Sequence, residues 1–172
     1  MGESTKIRLK ARVYRDAQHV MAVCENAVLT YSSDAPNPHY LEAWAQTMQL
    51  VAEQYPEGLL VMTLINPLAR VPDDAAKARI RNTVLRHSAQ IAAFAYVVEG
   101  EGFGAAAIRS GLSLISLVAR YPFPMKVFGY VEEAVPWMLS RTSPRAPRAQ
   151  NAAQLVSIAS SLSSQLRSAA TG

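Results

Sequence analysis

The segment Glu99-Gly100-Glu101-Gly102-Phe103-Gly104 is where the chain comes nearest to a chemical motif. A glycine-rich turn leading from a strand into a helix can direct backbone N–H groups at a phosphate. The glycine spacing departs from G-x-G-x-x-G, and two glutamates would repel an anion, so the segment reads as a tight lead-in to a helix. Gly111-Leu112-Ser113 lacks the second glycine of a nucleophile elbow and lies within a helical pattern. His19, His39 and His87 stand far apart, with no zinc-ligand spacing. The acid pairs Asp73-Asp74 and Glu132-Glu133 each fall in a first helical turn, where capping accounts for them without acid–base chemistry. The single cysteine, Cys24, sits in the apolar run VMAVCENAV and reads as a buried, inert thiol. No nucleophile–base constellation is visible along the chain. The expectation is therefore a protein that is not an enzyme and uses no cofactor or metal, unless distant segments bring Ser, His and acid groups within hydrogen-bond reach.

The elements that would position any site are clearest from Ile91 to Met138. Ile91–Val98 is an apolar run too short for a globular helix and reads as a strand buried on both faces, as in parallel sheets. A helix follows from about Phe103 to Arg120, Pro122 and Pro124 break the chain, Met125–Phe128 gives a short strand, and Val131–Leu139 reads as a closing helix. Pro136 conflicts with that helix and predicts a kink or a late start. Upstream, Ile7–Tyr14 alternates as an edge strand, Arg15–His19 makes a turn, and Val20–Cys24 returns, with Ala27–Leu29 continuing its pairing after a kink or bulge near Glu25 and Asn26. Asn37 as cap and Pro38 at the first helical position open a helix to about Gln54, whose stripe Leu41, Trp44, Met48, Val51 faces a sheet. Gly58–Ile65 belongs at the sheet centre. Pro72-Asp73-Asp74 opens a helix that turns Ala76, Ile80 and Val84 inward and ends near His87, where a partly charged imidazole is tolerated.

The Phe103–Arg120 helix has an excess of apolar surface. Arg109, Ser113, Ser116 and Arg120 form a narrow polar strip, while apolar residues fill roughly 220° of the circumference, about twice what one sheet requires. Leu114, Leu117 and Val118 are thus expected to meet a neighbouring helix, the C-terminal segment or a second copy, with Gly111 permitting close approach. Residues 141–150 read as a Pro/Arg linker, and residues 151–172 as an amphipathic helical tail whose stripe includes Leu155, Leu162 and Leu166. That helix is too weak to stand alone and must dock on something.

Half of the 172 residues are apolar and 17% are charged, a globular composition sufficient for one domain with a tail. The net charge of +4 belongs to the tail: up to Ser140 there are 13 basic and 13 acidic residues, and beyond it only Arg141, Arg145, Arg148 and Arg167. Four arginines without interleaved aromatics are a weak nucleic-acid signal. No apolar run reaches the roughly 18 residues of a membrane span, and MGESTKIRLK lacks a signal-peptide core, so a cytoplasmic protein is expected.

The element order, together with Phe123-Pro-Met-Lys-Val-Phe-Gly-Tyr-Val-Glu-Glu-Ala-Val-Pro-Trp-Met138, resembles the SpoIIAA-like branch of the STAS (anti-sigma-factor antagonist-like) families. The likeness spans residues 7–140 in organisation and the last 16 of these in wording. It implies an α/β domain over residues 1–140, with a mixed sheet of about five strands and four helices, followed by the tail helix. It also implies non-catalytic binding of protein partners. In phospho-switched members a Ser or Thr follows the central strand; the matching stretch, Asn66 to Asp74, has no hydroxyl, and Asp73 and Asp74 would be a fixed charge there. Some SpoIIAA-like members resemble apolar-ligand carriers. The leading expectation is a bacterial regulatory or scaffolding domain that self-associates or binds a protein through Leu114, Leu117, Val118, Leu155, Leu162 and Leu166. The alternative is a carrier or sensor of an apolar small molecule or lipid, held between the Phe103–Arg120 helix and the sheet.

Overall fold

The computed structural model of the chain describes residues 11–56, 58–142 and 152–167, with the side chains of 11, 12, 115–119 and 167 outside that description. Six strands form one mixed sheet in sequential order: β1 (Ala11–Arg15), β2 (His19–Cys24), β3 (Ala27–Ser32), β4 (Leu59–Ile65), β5 (Ile91–Val97) and β6 (Met125–Phe128). The first three pair antiparallel and the last three continue in parallel from β3. Length decides this: connections of three and two residues, Asp16–Gln18 and Glu25-Asn26, can only reverse a chain, whereas the helix-bearing connections after β3 are long enough to return it in parallel. Those connections carry α1 (Pro38–Gln54), α2 (Asp74–Arg86) and α3 (Phe103–Ala119); α4 (Val131–Ser140) and α5 (Ala152–Arg167) follow β6.

The strand count exceeds the expected five because Glu25-Asn26 is a hairpin turn and not a kink. Glu25 takes φ 52, and Cys24 pairs directly with Ala27. The turn is fixed from below, where the Asn26 amide donates to the Gly58 carbonyl and Leu60 N–H donates to the Asn26 carbonyl. His19, expected in the preceding turn, instead begins β2 and is fully buried.

Strand alternation divides the core into two layers. On one side Met21, Val23, Val28, Val61 and Phe94 pack against Trp44, Met48 and Val51 of α1 and Val84 of α2. On the other, Val20, Leu29, Leu60, Met62, Ala95 and Val97 pack against Val131, Val135 and Met138 of α4 and Leu155, Ala159, Leu162 and Leu166 of α5. Ile91 and Phe94 share the first face despite their odd spacing, because the β4–β5 register shifts between Leu59 and Leu60. The tail helix is therefore a structural layer of the domain, not an appendage.

Pro136 lies inside α4, which starts at Val131 with no late onset. Pro136 is exposed while Val131, Ala134, Val135 and Met138 are buried, so the missing N–H falls on the solvent face and water can satisfy the carbonyl left without a donor. Among the described residues no helix is long and apolar enough to cross a membrane.

Candidate functional site

A cavity of about 140 Å³ opens on the α1 side of the sheet, at the C-terminal ends of β3, β4 and β5. Open parallel sheets place their ligands at this edge. Tyr40, Leu41 and Trp44 of α1, Ile80 of α2 and Leu112 of α3 form its walls, with Thr63, Ile65, Phe94 and Tyr96 as the floor. Leu112 borders the same space as Trp44 and Ile80, which puts part of the apolar face of α3 to use inside the domain. Trp44 is 4% exposed, and among the described residues its indole N–H has no hydrogen-bond partner. A buried donor left in this state costs roughly 1–3 kcal/mol and requires an explanation.

Two loops close the mouth. Arg70, in the β4–α2 loop, donates from Nε to Asp34 Oδ1 at 2.8 Å and from its terminal nitrogen to Oδ2 at 2.7 Å. Gln18 Nε2 and the Ala35 N–H also donate to Asp34. The Arg70 guanidinium first, and then the Ala35 N–H, hold the Asp34 carboxyl well below the usual carboxylate range. Both charged groups of the lining are thus matched to each other, and the cavity carries no net charge. Burial pushes the Tyr96 phenol up, so it stays a neutral donor at physiological pH.

Behind Tyr40 lies a second polar cluster. Asp16 accepts from the Tyr14 hydroxyl at 2.9 Å, Asn37 Nδ2 at 2.8 Å and the backbone N–H groups of Gln18 and His19, each at 2.7 Å. His19 Nδ1 lies 3.0 Å from the same carboxylate, and the imidazole stacks on Tyr40 at 4.5 Å between centroids. Burial raises the Asp16 pKa, but the donors outweigh it and the carboxyl ends well below its ordinary value. The Tyr14 phenol is pushed up to about 12, by burial and then by Asp16. Such a carboxylate–imidazole pair is the arrangement of a general base. Here His19 Nε2 is buried without a partner among the described residues, and the cavity is lined by Tyr40 instead of His19. No serine among the described residues is hydrogen-bonded to that nitrogen. The cluster's visible work is to lock the β1–β2 turn onto the N-cap of α1, where Asn37 Oδ1 accepts from Tyr40 N–H at 2.9 Å.

The residues singled out from sequence divide into three groups. Asp73 caps α2, accepting from Ala76 N–H at 2.7 Å, while Asp74 lies exposed in the first turn beside Lys77. Both are outside the cavity, although Ala69, Arg70 and Pro72 of the preceding loop line it. Leu155, Leu162 and Leu166, expected to offer an interaction surface, are at most 6% exposed and are consumed by the chain's own sheet and α4. A sheet with helices on only one face would leave Val20, Leu29, Leu60 and Met62 in water, and α5 beside α4 removes that penalty, α5 over β2 and β3 and α4 over β5 and β6. Leu114 is 63% exposed, in keeping with an uncovered strip on α3; the Leu117 and Val118 side chains lie outside the described residues. Gly111 faces open space in the described chain.

The glycine-rich turn is a lead-in to α3: Gly100 and Gly102 take φ values of 111° and 103°, and Arg109 donates to the carbonyls of Val98 and Gly100. Cys24 is buried. His87 is the C-cap of α2, at the helix end expected; it is 6% exposed, and burial and then Arg86 lower its pKa, which disfavours the partly charged imidazole that such an end tolerates.

The alternative reading of the sequence placed a pocket between the Phe103–Arg120 helix and the sheet; Leu112 and the strand residues line the cavity, and the walls supplied by α1 and α2 are what sequence reasoning missed. The signal available was a row of hydroxyls, Thr30, Ser32 and Thr63, at alternate positions near the ends of otherwise apolar strands. Thr30 and Thr63 are cross-strand partners and hydrogen-bond at 3.2 Å. Neither a protein-family model, a curated protein nor a solved structure matches the chain.

Proposed function

We propose that the chain is a non-catalytic α/β binding domain of SpoIIAA-like type that holds a small apolar molecule between α1, α2, α3 and the sheet. The observation that carries this reading is the apolar cavity at the C-terminal ends of the parallel strands, walled by Tyr40, Trp44, Ile80, Phe94, Tyr96 and Leu112. Burial of Leu155, Leu162 and Leu166 withdraws the apolar stripe of α5 from any protein–protein contact. Native mass spectrometry of the purified full chain should show a co-purified small molecule, or melting should rise on addition of apolar compounds. At a ligand concentration of about 100 times Kd the stabilisation is about 2.7 kcal/mol, or roughly 5–10 °C in Tm for a chain of this size. A ligand-free spectrum, with no shift across compounds from single rings to acyl chains, would refute the reading.

A second reading, a regulatory or scaffolding partner surface on α3, is supported by Leu114 at 63% and Phe103 at 91% exposure. It requires that Leu114→Glu abolish self-association or partner capture seen with the parent chain. Retention of both by the variant would count against it.

A further inference from the structure

The lining of the cavity grades from buried to exposed in one direction. Tyr40, Trp44 and Phe94 are buried, the Asp34 side chain is 17% exposed, and Arg70, with its side chain 77% exposed, is the one lining residue that stands in solvent. The way in therefore lies where Arg70 meets Asp34. The two come from different loops, residues 33–37 after β3 and residues 66–73 after β4. Asp34 is anchored on its own side, accepting from Gln18 Nε2 at 3.0 Å and from the Ala35 N–H at 2.7 Å. Arg70 is held by Asp34: both guanidinium bonds end there, and so does a third, from the Arg70 backbone N–H at 3.3 Å. Among the described residues these three are the only hydrogen bonds that join residues 33–37 to residues 67–73. Asn66 fixes the start of the second loop by accepting from the N–H groups of Leu68 and Ala69. Farther along, Leu68 and Val71 are 89% and 77% exposed and give the loop little packing of their own.

We infer that the Asp34–Arg70 pair is a latch across the cavity mouth, which a ligand passes only while the pair is parted; this rests on the reading above that the cavity holds an apolar molecule. Asp34 is the fixed half, and the loop carrying Arg70 is the half that moves. An ion pair this exposed is only weakly favourable and is screened by salt, so it opens readily. A bound molecule touches the same buried walls with the latch present or absent. The latch therefore sets the rates of entry and exit together and leaves affinity nearly unchanged.

The cavity volume of about 140 Å³ is close to the ~150 Å³ apolar cavity that takes one benzene ring, so fluorobenzene is a suitable probe. ¹⁹F exchange spectroscopy on the full chain gives its kon, koff and Kd. Arg70→Gln and Asp34→Asn should each raise kon and koff about fivefold, the size expected of one surface ion pair, with Kd unchanged within about twofold. Raising NaCl from about 0.05 to about 0.5 M should speed exchange in the parent chain and have no effect in Arg70→Gln. Because the probe is uncharged, salt acts on it only through the protein. Arg79→Gln is the control: Arg79 faces Glu42 at 3.9 Å and is not part of the cavity lining, so its loss should leave both rates as they are. Unchanged rates in Arg70→Gln, a salt effect that persists in that variant, or a weakened Kd with kon unaltered would overturn the latch and leave the binding domain standing. If neither fluorobenzene nor any other apolar compound binds, the latch and the reading it rests on fall together.

Discussion

At Asp16 one carboxylate collects the Tyr14 hydroxyl, the Asn37 amide, His19 Nδ1 and two backbone N–H groups, joining β1, β2 and the start of α1. Replacing it with Ala strands several part-buried donors at once, and we expect a loss of about 2–4 kcal/mol in urea denaturation. The carboxyl pKa is depressed on folding, so its stabilising contribution is complete above the unfolded value of about 4 and is lost as pH falls through the lower folded value. Asp16→Asn should therefore flatten the acid limb of the stability curve. His87 acts in a different window. Burial lowers its pKa, so between that lowered value and about 6.5 the unfolded chain binds more protons and stability declines as pH falls. His87→Leu should remove that slope, as read from denaturation midpoints at pH 7 and pH 5.5. A return of the slope in the variant would assign it to another group.

The two helices with apolar surplus behave differently, and variants on each should separate packing from recognition. Leu162 is 1% exposed between the sheet and α4, so Leu162→Glu buries a carboxylate among aliphatic side chains and should cost more than about 4 kcal/mol. Leu114 is 63% exposed, and Leu114→Glu should change stability by no more than about 0.5 kcal/mol. Comparable denaturation midpoints for the two variants would contradict the assignment of α5 to the core. Both stripes were legible as amphipathic helices in the sequence, because three-and-four spacing reports a face. What covers that face is a property of neighbours, and spacing is silent on it.

For the whole molecule, the consequence is that the domain does not end at Ser140. Removing everything beyond it uncovers Val20, Leu29, Leu60 and Met62 along one side of the sheet. The truncated chain should lose cooperative melting and bind a hydrophobic dye, instead of surviving as a well-folded monomer. Light scattering of the full chain over a range of concentrations gives the reference mass, and a truncation that melts as sharply as the parent would show α5 to be dispensable.

The sequence by itself determined the local elements: α1 from the Asn37 cap to Gln54, α2 from the Asp73 cap, the apolar runs of β4 and β5, and the glycine lead-in to α3. Each is encoded by residues within one or two turns, and short-range hydrogen bonding and periodicity decide it. Tertiary structure alone decided that Glu25-Asn26 reverses the chain, since that turn is stabilised by hydrogen bonds with Gly58 and Leu60 more than thirty residues away. It also decided that α5 covers the sheet, and that Trp44, Ile80, Phe94 and Leu112 converge on one cavity. A cavity is a space between elements, and its walls come from segments whose separations in sequence carry no record of their contact.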